Sequence, residues 1–119
     1  MKFTETHEWI NVQGQEGTVG ITPFAAKELG EIVYVELPKI GHFVKAKEEA
    51  CVLESTKAAA DVYSPVSGTV LEVNESLKEE SQLINVSAFE KGWLFKIHLN
   101  DLKEVEELME EKTYLEMIK

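Results

Sequence analysis

The chain has 119 residues, 44% of them hydrophobic, which is enough for one domain with its own core. Twelve basic and 22 acidic side chains give a formal net charge of −10, which disfavours nucleic acid and anionic membranes and favours partners with basic surfaces. Cys51 is the single cysteine, so no internal disulfide can form and a reducing compartment is the simpler assumption.

The N-terminal part of the chain predicts a β-hairpin, then a short helix and a further strand. Thr22 is a good N-cap residue, Pro23 suits the first helical position and Gly30 suits the stop, so a helix is predicted over 22–29. The strands on either side are rich in β-branched residues and end at glycine or proline. The predicted strands are Trp9–Val12, Thr18–Ile21 and Ile32–Leu37.

The rest of the chain up to Leu99 contains short apolar runs at close spacing, separated by turn residues. Such a series predicts a mainly β protein, either a small β-sandwich or a flattened barrel. The predicted strands here are Phe43–Val44, Ala50–Leu53, Val62–Tyr63, Thr69–Val73, Leu83–Ile84 and Trp93–Leu99.

The C-terminal segment predicts one amphipathic helix with a charged outer face. Asn100 can cap it, and its apolar residues recur at helical spacing, while its glutamates indicate a solvated face. An apolar tail over 114–118 is then expected to pack against the sheet. The residues of the apolar stripe are Leu102, Val105, Leu108 and Met109.

Lys57 lies in a polar stretch between two strand-like runs, as expected for a lysine displayed at a hairpin tip. Glu54 and Asp61 flank it, and nearby carboxylates favour the ammonium form, so Lys57 is expected to be the substrate of a modifying enzyme and not a nucleophile. The alternative is that Lys57–Ala60 begins a helix and the lysine is an ordinary surface residue.

The segment Glu54–Gly68 resembles the lipoyl-attachment segment of the H proteins of the glycine cleavage system. Lipoyl domains also have glycines sixteen residues before and eleven after the modified lysine, and Gly41 (57 − 41 = 16) and Gly68 (68 − 57 = 11) fill those positions. Further blocks that resemble the family in register are Phe3–Trp9, Val19–Thr22, Leu29–Pro38, Val70–Asn74, Leu83–Asn85 and Gly92–Ile97.

The resemblance implies a single lipoyl-carrier domain over 1–119, with a lipoyl/biotinyl-type hybrid-motif β-sandwich or flattened barrel. It implies covalent lipoate on Lys57, with Glu54 and Asp61 as recognition features beside the arm, and a non-catalytic carrier. The arm would move the aminomethyl group of glycine between enzymes. The implied partners are the glycine decarboxylase, the aminomethyltransferase, dihydrolipoyl dehydrogenase, and a lipoate ligase or lipoyl transferase.

The loop between Asn85 and Trp93 departs from the family, because the usual proline-tyrosine-glycine core is replaced. This leaves open a lipoylated donor or relay, or a redox-responsive carrier, outside glycine cleavage. A biotin carrier is disfavoured because Thr56 and Ala58, not methionines, flank the lysine.

An enzyme is the least favoured class, because His7, His42 and His98 have no metal-ligand spacing and no catalytic triad pattern is visible. No run is long enough to cross a bilayer, and Met1–Glu5 lacks the apolar core of a signal peptide. We therefore expect a cytoplasmic protein, and a monomer.

Overall fold

Nine strands form two antiparallel sheets in the computed structural model, which describes residues 1–119. The larger sheet has six strands in the order β1-β2-β3-β9-β8-β5, and the smaller has three in the order β4-β6-β7. The strands are β1 Lys2–Phe3, β2 Glu8–Gln13, β3 Glu16–Ile21, β4 Ile32–Glu36, β5 Phe43–Val44, β6 Glu49–Ser55, β7 Ala59–Tyr63, β8 Gly68–Val73 and β9 Phe95–Leu99. The helices are α1 Pro23–Leu29, α2 Leu83–Val86, α3 Lys103–Glu106 and α4 Glu111–Met117, with a 3₁₀ turn at Glu75–Lys78.

The two sheets share one hydrophobic core of 19 buried residues. Ile10 and Ile97 enter it from the larger sheet, and Leu53 and Val62 enter it from the smaller one. Because side chains alternate along a strand, one face of each sheet is apolar and the other is free to meet solvent. Neither sheet closes on itself, so the mainly β sandwich is confirmed and the flattened-barrel alternative is wrong.

The predicted hairpin and the predicted helix of the N-terminal part are confirmed. Strands β2 and β3 pair in register up to Gln13 opposite Glu16, which leaves a two-residue turn in which Gly14 has φ of 64°. The Thr22 hydroxyl accepts from Ala25 N at 3.3 Å and caps α1. The helix ends at Gly30, whose φ of 85° favours glycine.

Two predictions for the C-terminal part are wrong. Leu83–Ile84 belongs to α2 and not to a strand, because a run of two apolar residues fits either element and the buried Ile84 is accommodated from a helix. The single helix capped by Asn100 is instead two short helices, α3 and α4. Asp101 and not Asn100 is the local acceptor, since its carboxylate accepts from Lys103 N at 2.9 Å.

A pairing with the N-terminus interrupts the predicted C-terminal helix. Phe3 N donates to Met109 O at 2.8 Å, and Met109 N donates to Phe3 O at 2.9 Å. Helix α4 follows, and the Tyr114 ring stacks on Phe3 with ring centroids 4.9 Å apart, in a small cluster with Trp9. The tail therefore packs as predicted through Tyr114 and Ile118, whereas Leu115 and Met117 are exposed.

Both glycines that fit the lipoyl-domain spacing have backbone reasons to be glycine. Gly41 has φ of 90°, in the region that side chains disfavour. A Cβ on Gly68 would lie 2.0 Å from the carbonyl oxygen of His98 on the neighbouring strand β9. No helix of the structure is both long and apolar enough to span a bilayer.

Candidate functional site

Lys57 lies at the tip of the hairpin formed by β6 and β7. Glu54 pairs with Ala59, so residues 55–58 make the turn, and Ser55 N donates to Ala58 O at 2.8 Å. The Ser55 hydroxyl oxygen accepts from the backbone N–H groups of Lys57 and Ala58, both at 3.1 Å. The tip is therefore held by its own hydrogen bonds, Lys57 is exposed as predicted, and the helical alternative for this segment is wrong.

The residues at the end of α1 contact the hairpin tip. Thr56 N donates to the carbonyl oxygen of Glu31 at 3.1 Å, which ties the turn to the residues that follow the helix. The Lys57 side chain crosses Gly30, where an added Cβ would lie 3.0 Å from Lys57 Cε. Lys57 forms no ion pair, so its ammonium group is available to an incoming enzyme.

Glu54 and Asp61, the predicted neighbours of the tip, lie on the same face of the hairpin. Glu54 is opposite Ala59 and Asp61 is opposite Val52, and residues that pair directly share a face. Both carboxylates are exposed, and neither is engaged in an ion pair. Their role as recognition features stays a prediction.

A buried carboxylate marks a second feature, at the far end of β7. Glu8 is only 2% exposed, and the hydroxyls of Thr4 and Thr6 both donate to its Oε1. The backbone N of Tyr63 donates to Oε2 at 3.2 Å, which links Glu8 to the end of β7. Burial raises the pKa of Glu8 above its ordinary value, and the donated hydrogen bonds oppose that rise.

Glu8 lines a groove with a volume of about 410 Å³ between the N-terminal segment, the loop before β6, the end of β7 and the region of α3. Four carboxylates line it, and Lys47 is the one basic residue among its walls. Tyr63 and Met109 add apolar surface, so the groove suits a small group that carries an amine or ammonium. The acidic wall residues are Glu5, Glu8, Glu104 and Glu107.

The sequence model of the glycine cleavage H-protein family matches residues 1–119. The chain belongs to this family. It is 49% identical over 115 residues to the glycine cleavage system H protein of Thermotoga maritima, covering 97% of this chain and 93% of that protein. It is 47% identical over 118 residues to that of Endomicrobium trichonymphae, covering 99% and 95%.

Solved structures agree with this family. A crystal structure of the glycine cleavage system H protein from Mycobacterium marinum superposes with a TM-score of 0.90 at 32% identity, over 98% of this chain and 94% of that one. The H protein is the non-catalytic carrier subunit of the glycine cleavage system, so this chain is a carrier and not an enzyme.

The loop between Asn85 and Trp93, which departs from the family pattern, is anchored at the end of α1, close to the Lys57 hairpin. It does not line the groove at Glu8. Asn85 Nδ2 donates to Gly30 O at 2.8 Å, and Asn85 Oδ1 accepts from Ile32 N at 3.0 Å. Further along, the carbonyl oxygen of Ala88 accepts from Trp9 Nε1 at 3.1 Å. The loop is therefore hydrogen-bonded both to the end of α1 and to Trp9 of the small aromatic cluster.

The histidines have the environments expected of structural or solvent-facing residues. His7 Nδ1 lies 2.8 Å from the Tyr114 hydroxyl, and partial burial lowers the pKa of His7 while Glu28 opposes that change. His42 and His98 are exposed. No three potential metal ligands come together in the structure.

Sequence reasoning missed three residues of this H-protein site. Glu8 was noted only within the block that resembles the family start, and the turn over residues 5–7 that brings the Thr4 and Thr6 hydroxyls to its carboxylate was not predicted. Ser55 acts through hydrogen bonds from its hydroxyl to the backbone of the turn, and Gly30 acts through its backbone conformation; no spacing in the sequence reveals either.

Proposed function

We propose that the chain carries lipoate in amide linkage on Lys57, as one carrier domain over 1–119, and shuttles the aminomethyl group of glycine. The observation that supports this most directly is the exposed Lys57 at the tip of a tight, hydrogen-bonded turn. A lysine on a rigid scaffold is pre-organised for a ligase and for several enzyme clefts, because little order must be imposed on binding.

The residues present fit the lipoyl group. The Lys57 amine is exposed and without an ion pair, and Gly30 leaves open the space that its side chain crosses. When bound, lipoate supplies a disulfide that would take up the aminomethyl group on one sulfur as the S–S bond opens, and release of the group would leave the dithiol. The chain supplies the position of the arm, and the bond-breaking steps belong to its partners.

The groove at Glu8 is proposed to shelter the amine at the end of the loaded arm. Strand β7 connects the tip to the groove over five residues, about 17 Å, and Asp61 lies along this route. A carboxylate oxygen in a walled groove can accept a hydrogen bond from an amine, and the exclusion of water strengthens that bond. Glu8, fixed by Thr4 and Thr6, is placed to do so.

The partners we propose are those of the glycine cleavage system. The decarboxylase loads the arm, the aminomethyltransferase unloads it, dihydrolipoyl dehydrogenase reoxidises it, and a lipoate ligase or lipoyl transferase attaches it. A formal charge of −10 favours encounter with basic surfaces and predicts that these encounters weaken as salt increases.

The test is aminomethyl loading of the lipoylated chain by glycine decarboxylase with glycine, followed by intact mass. Wild type is expected to gain the aminomethyl increment, and Lys57→Arg treated in the same way is expected to gain neither lipoate nor aminomethyl. A chain that is lipoylated but never loads would support the donor or relay function instead. A chain that is never lipoylated would contradict both.

A further inference from the structure

A β-bulge in β4 exposes two consecutive apolar residues. Ile32 pairs with Ser55 and Tyr34 pairs with Glu54, so the register shifts between them and Val33 is the extra residue. In a regular strand one of two neighbours would face the core, whereas here Val33 is 51% and Tyr34 is 53% exposed. Bulges are frequent next to functional sites because they re-aim side chains.

The exposed pair lies beside the modified hairpin. Tyr34 is directly opposite Glu54, which precedes Lys57 by three positions (57 − 54 = 3). Three residues of chain and one strand spacing place Tyr34 within about 15 Å of the Lys57 backbone. An interface of normal size centred on the tip, about 800 Å² or a disc of about 16 Å radius, therefore reaches Tyr34.

Carboxylates surround the apolar pair on the same outer face. Glu36 and Asp61 both pair with Val52, from opposite sides of β6, and Glu54 lies on β6 itself. All three are exposed and none forms an ion pair. This arrangement complements an apolar spot ringed by lysine or arginine on a partner.

We propose that the face made by Val33, Tyr34, Glu36, Glu54 and Asp61 is the docking surface for the enzyme that attaches lipoate. The proposal rests on the function proposed above, because it assumes that Lys57 is modified. The attaching enzyme is the chosen occupant because it acts on the lysine amine itself and must approach the hairpin closely. Enzymes that act on the far end of the arm need not cover this face.

A competing explanation is that the bulge only protects an edge. Strand β4 is an outer strand of the three-stranded sheet, and bulges and charges at such strands discourage pairing with other chains. If that were the whole role, the identity of the two exposed side chains would not affect lipoylation.

The test is the initial rate of lipoylation of Lys57 by a lipoate ligase with lipoate and ATP, measured by intact mass against concentration of the unmodified chain. The variant carries Val33→Thr and Tyr34→Ser, which remove the two exposed apolar side chains and introduce residues that a strand tolerates. The matched control is Leu71→Thr, because Leu71 is also exposed, at 41%, and lies at the register shift of β8 in the other sheet.

We expect the KM for the carrier to rise about tenfold in the double variant, with kcat within about twofold, since removal of one aromatic interface contact typically has this effect. The control should stay within about twofold of wild type. Equal KM values for the double variant and wild type, or an equal rise in the control, would overturn the docking surface. Far-ultraviolet circular dichroism of each variant establishes that it is folded.

Wild-type protein supplies a second, independent measurement. Because the rim is acidic, the KM for wild type should rise with ionic strength, and this dependence should weaken when Glu36→Gln and Asp61→Asn are combined. A salt dependence unchanged by these substitutions would overturn the charge complementarity. A wild-type chain that gains no lipoyl mass would instead refute the proposed function, which separates the two failures.

Discussion

Replacing Ser55 with alanine tests whether the hairpin tip is rigid because of its own hydrogen bonds. The Ser55 hydroxyl accepts from the backbone N–H groups of Lys57 and Ala58 and donates to Ala58 O at 3.2 Å. Ser55→Ala removes all three bonds at the turn that displays Lys57. The core is untouched, since the side chain of Ser55 is not part of the buried cluster.

The expected magnitude follows from those bonds. Each contributes about 0.5–1.5 kcal/mol net, and at a partly exposed turn the freed groups can bond to water, so the sum is about 1–2 kcal/mol. A loss of about 1–2 kcal/mol corresponds to an about five- to thirtyfold larger population of the state in which the turn has lost its hydrogen bonds. We therefore expect faster amide hydrogen exchange at Lys57 and Ala58 and a lower kcat/KM for lipoylation.

Ser67→Ala is the matched control. Ser67 Oγ accepts from Ala46 N at 2.9 Å and donates to Glu104 at 2.9 Å, so it also organises backbone but lies away from the tip. Nuclear magnetic resonance measures amide exchange, and intact mass measures lipoylation. Unchanged exchange at Lys57 in Ser55→Ala, or an equal loss of lipoylation in Ser67→Ala, would refute the reasoning.

Four further results are expected. Lys57→Arg should abolish lipoylation while the free energy of unfolding stays within about 0.5 kcal/mol of wild type, by urea titration. Gly30→Ala should lower that free energy by about 1–3 kcal/mol, because φ is 85° and ψ is −160° there; equal stability would contradict the strain. Burial raises the pKa of Glu8 above 4.5, so the stability it contributes is complete below that pH and lost as pH rises through the raised pKa. The unfolding free energy of wild type minus that of Glu8→Gln should therefore fall with rising pH, and a flat difference would refute the shift. Cys51, whose buried thiol has a raised pKa, should react with a thiol reagent only after unfolding.

The sequence was sufficient where a local signal coincides with the final structure. Thr22, Pro23 and Gly30 mark the bounds of α1 within the chain itself, and the side chain of Thr22 does cap it. The hairpin around Lys57 was predictable for the same reason, because two β-branched runs bracket a polar turn.

The sequence was insufficient where distant segments decide the structure. The C-terminal periodicity continues through Met109, yet pairing with Phe3, more than a hundred residues away (109 − 3 = 106), stops the helix. Leu83–Ile84 is too short for its periodicity to separate a strand from a helix. The site at Glu8 depends on Tyr63 from another strand, and such convergence has no signature in either segment alone.

The central claim, that Lys57 is the lipoyl-carrying residue, is tested most directly by peptide mass spectrometry. The chain is incubated with a lipoate ligase, lipoate and ATP, digested, and each lysine-containing peptide is measured. We predict a lipoyl increment on the peptide that contains Lys57 and on no other. An increment on another lysine, or none on Lys57, would contradict the claim.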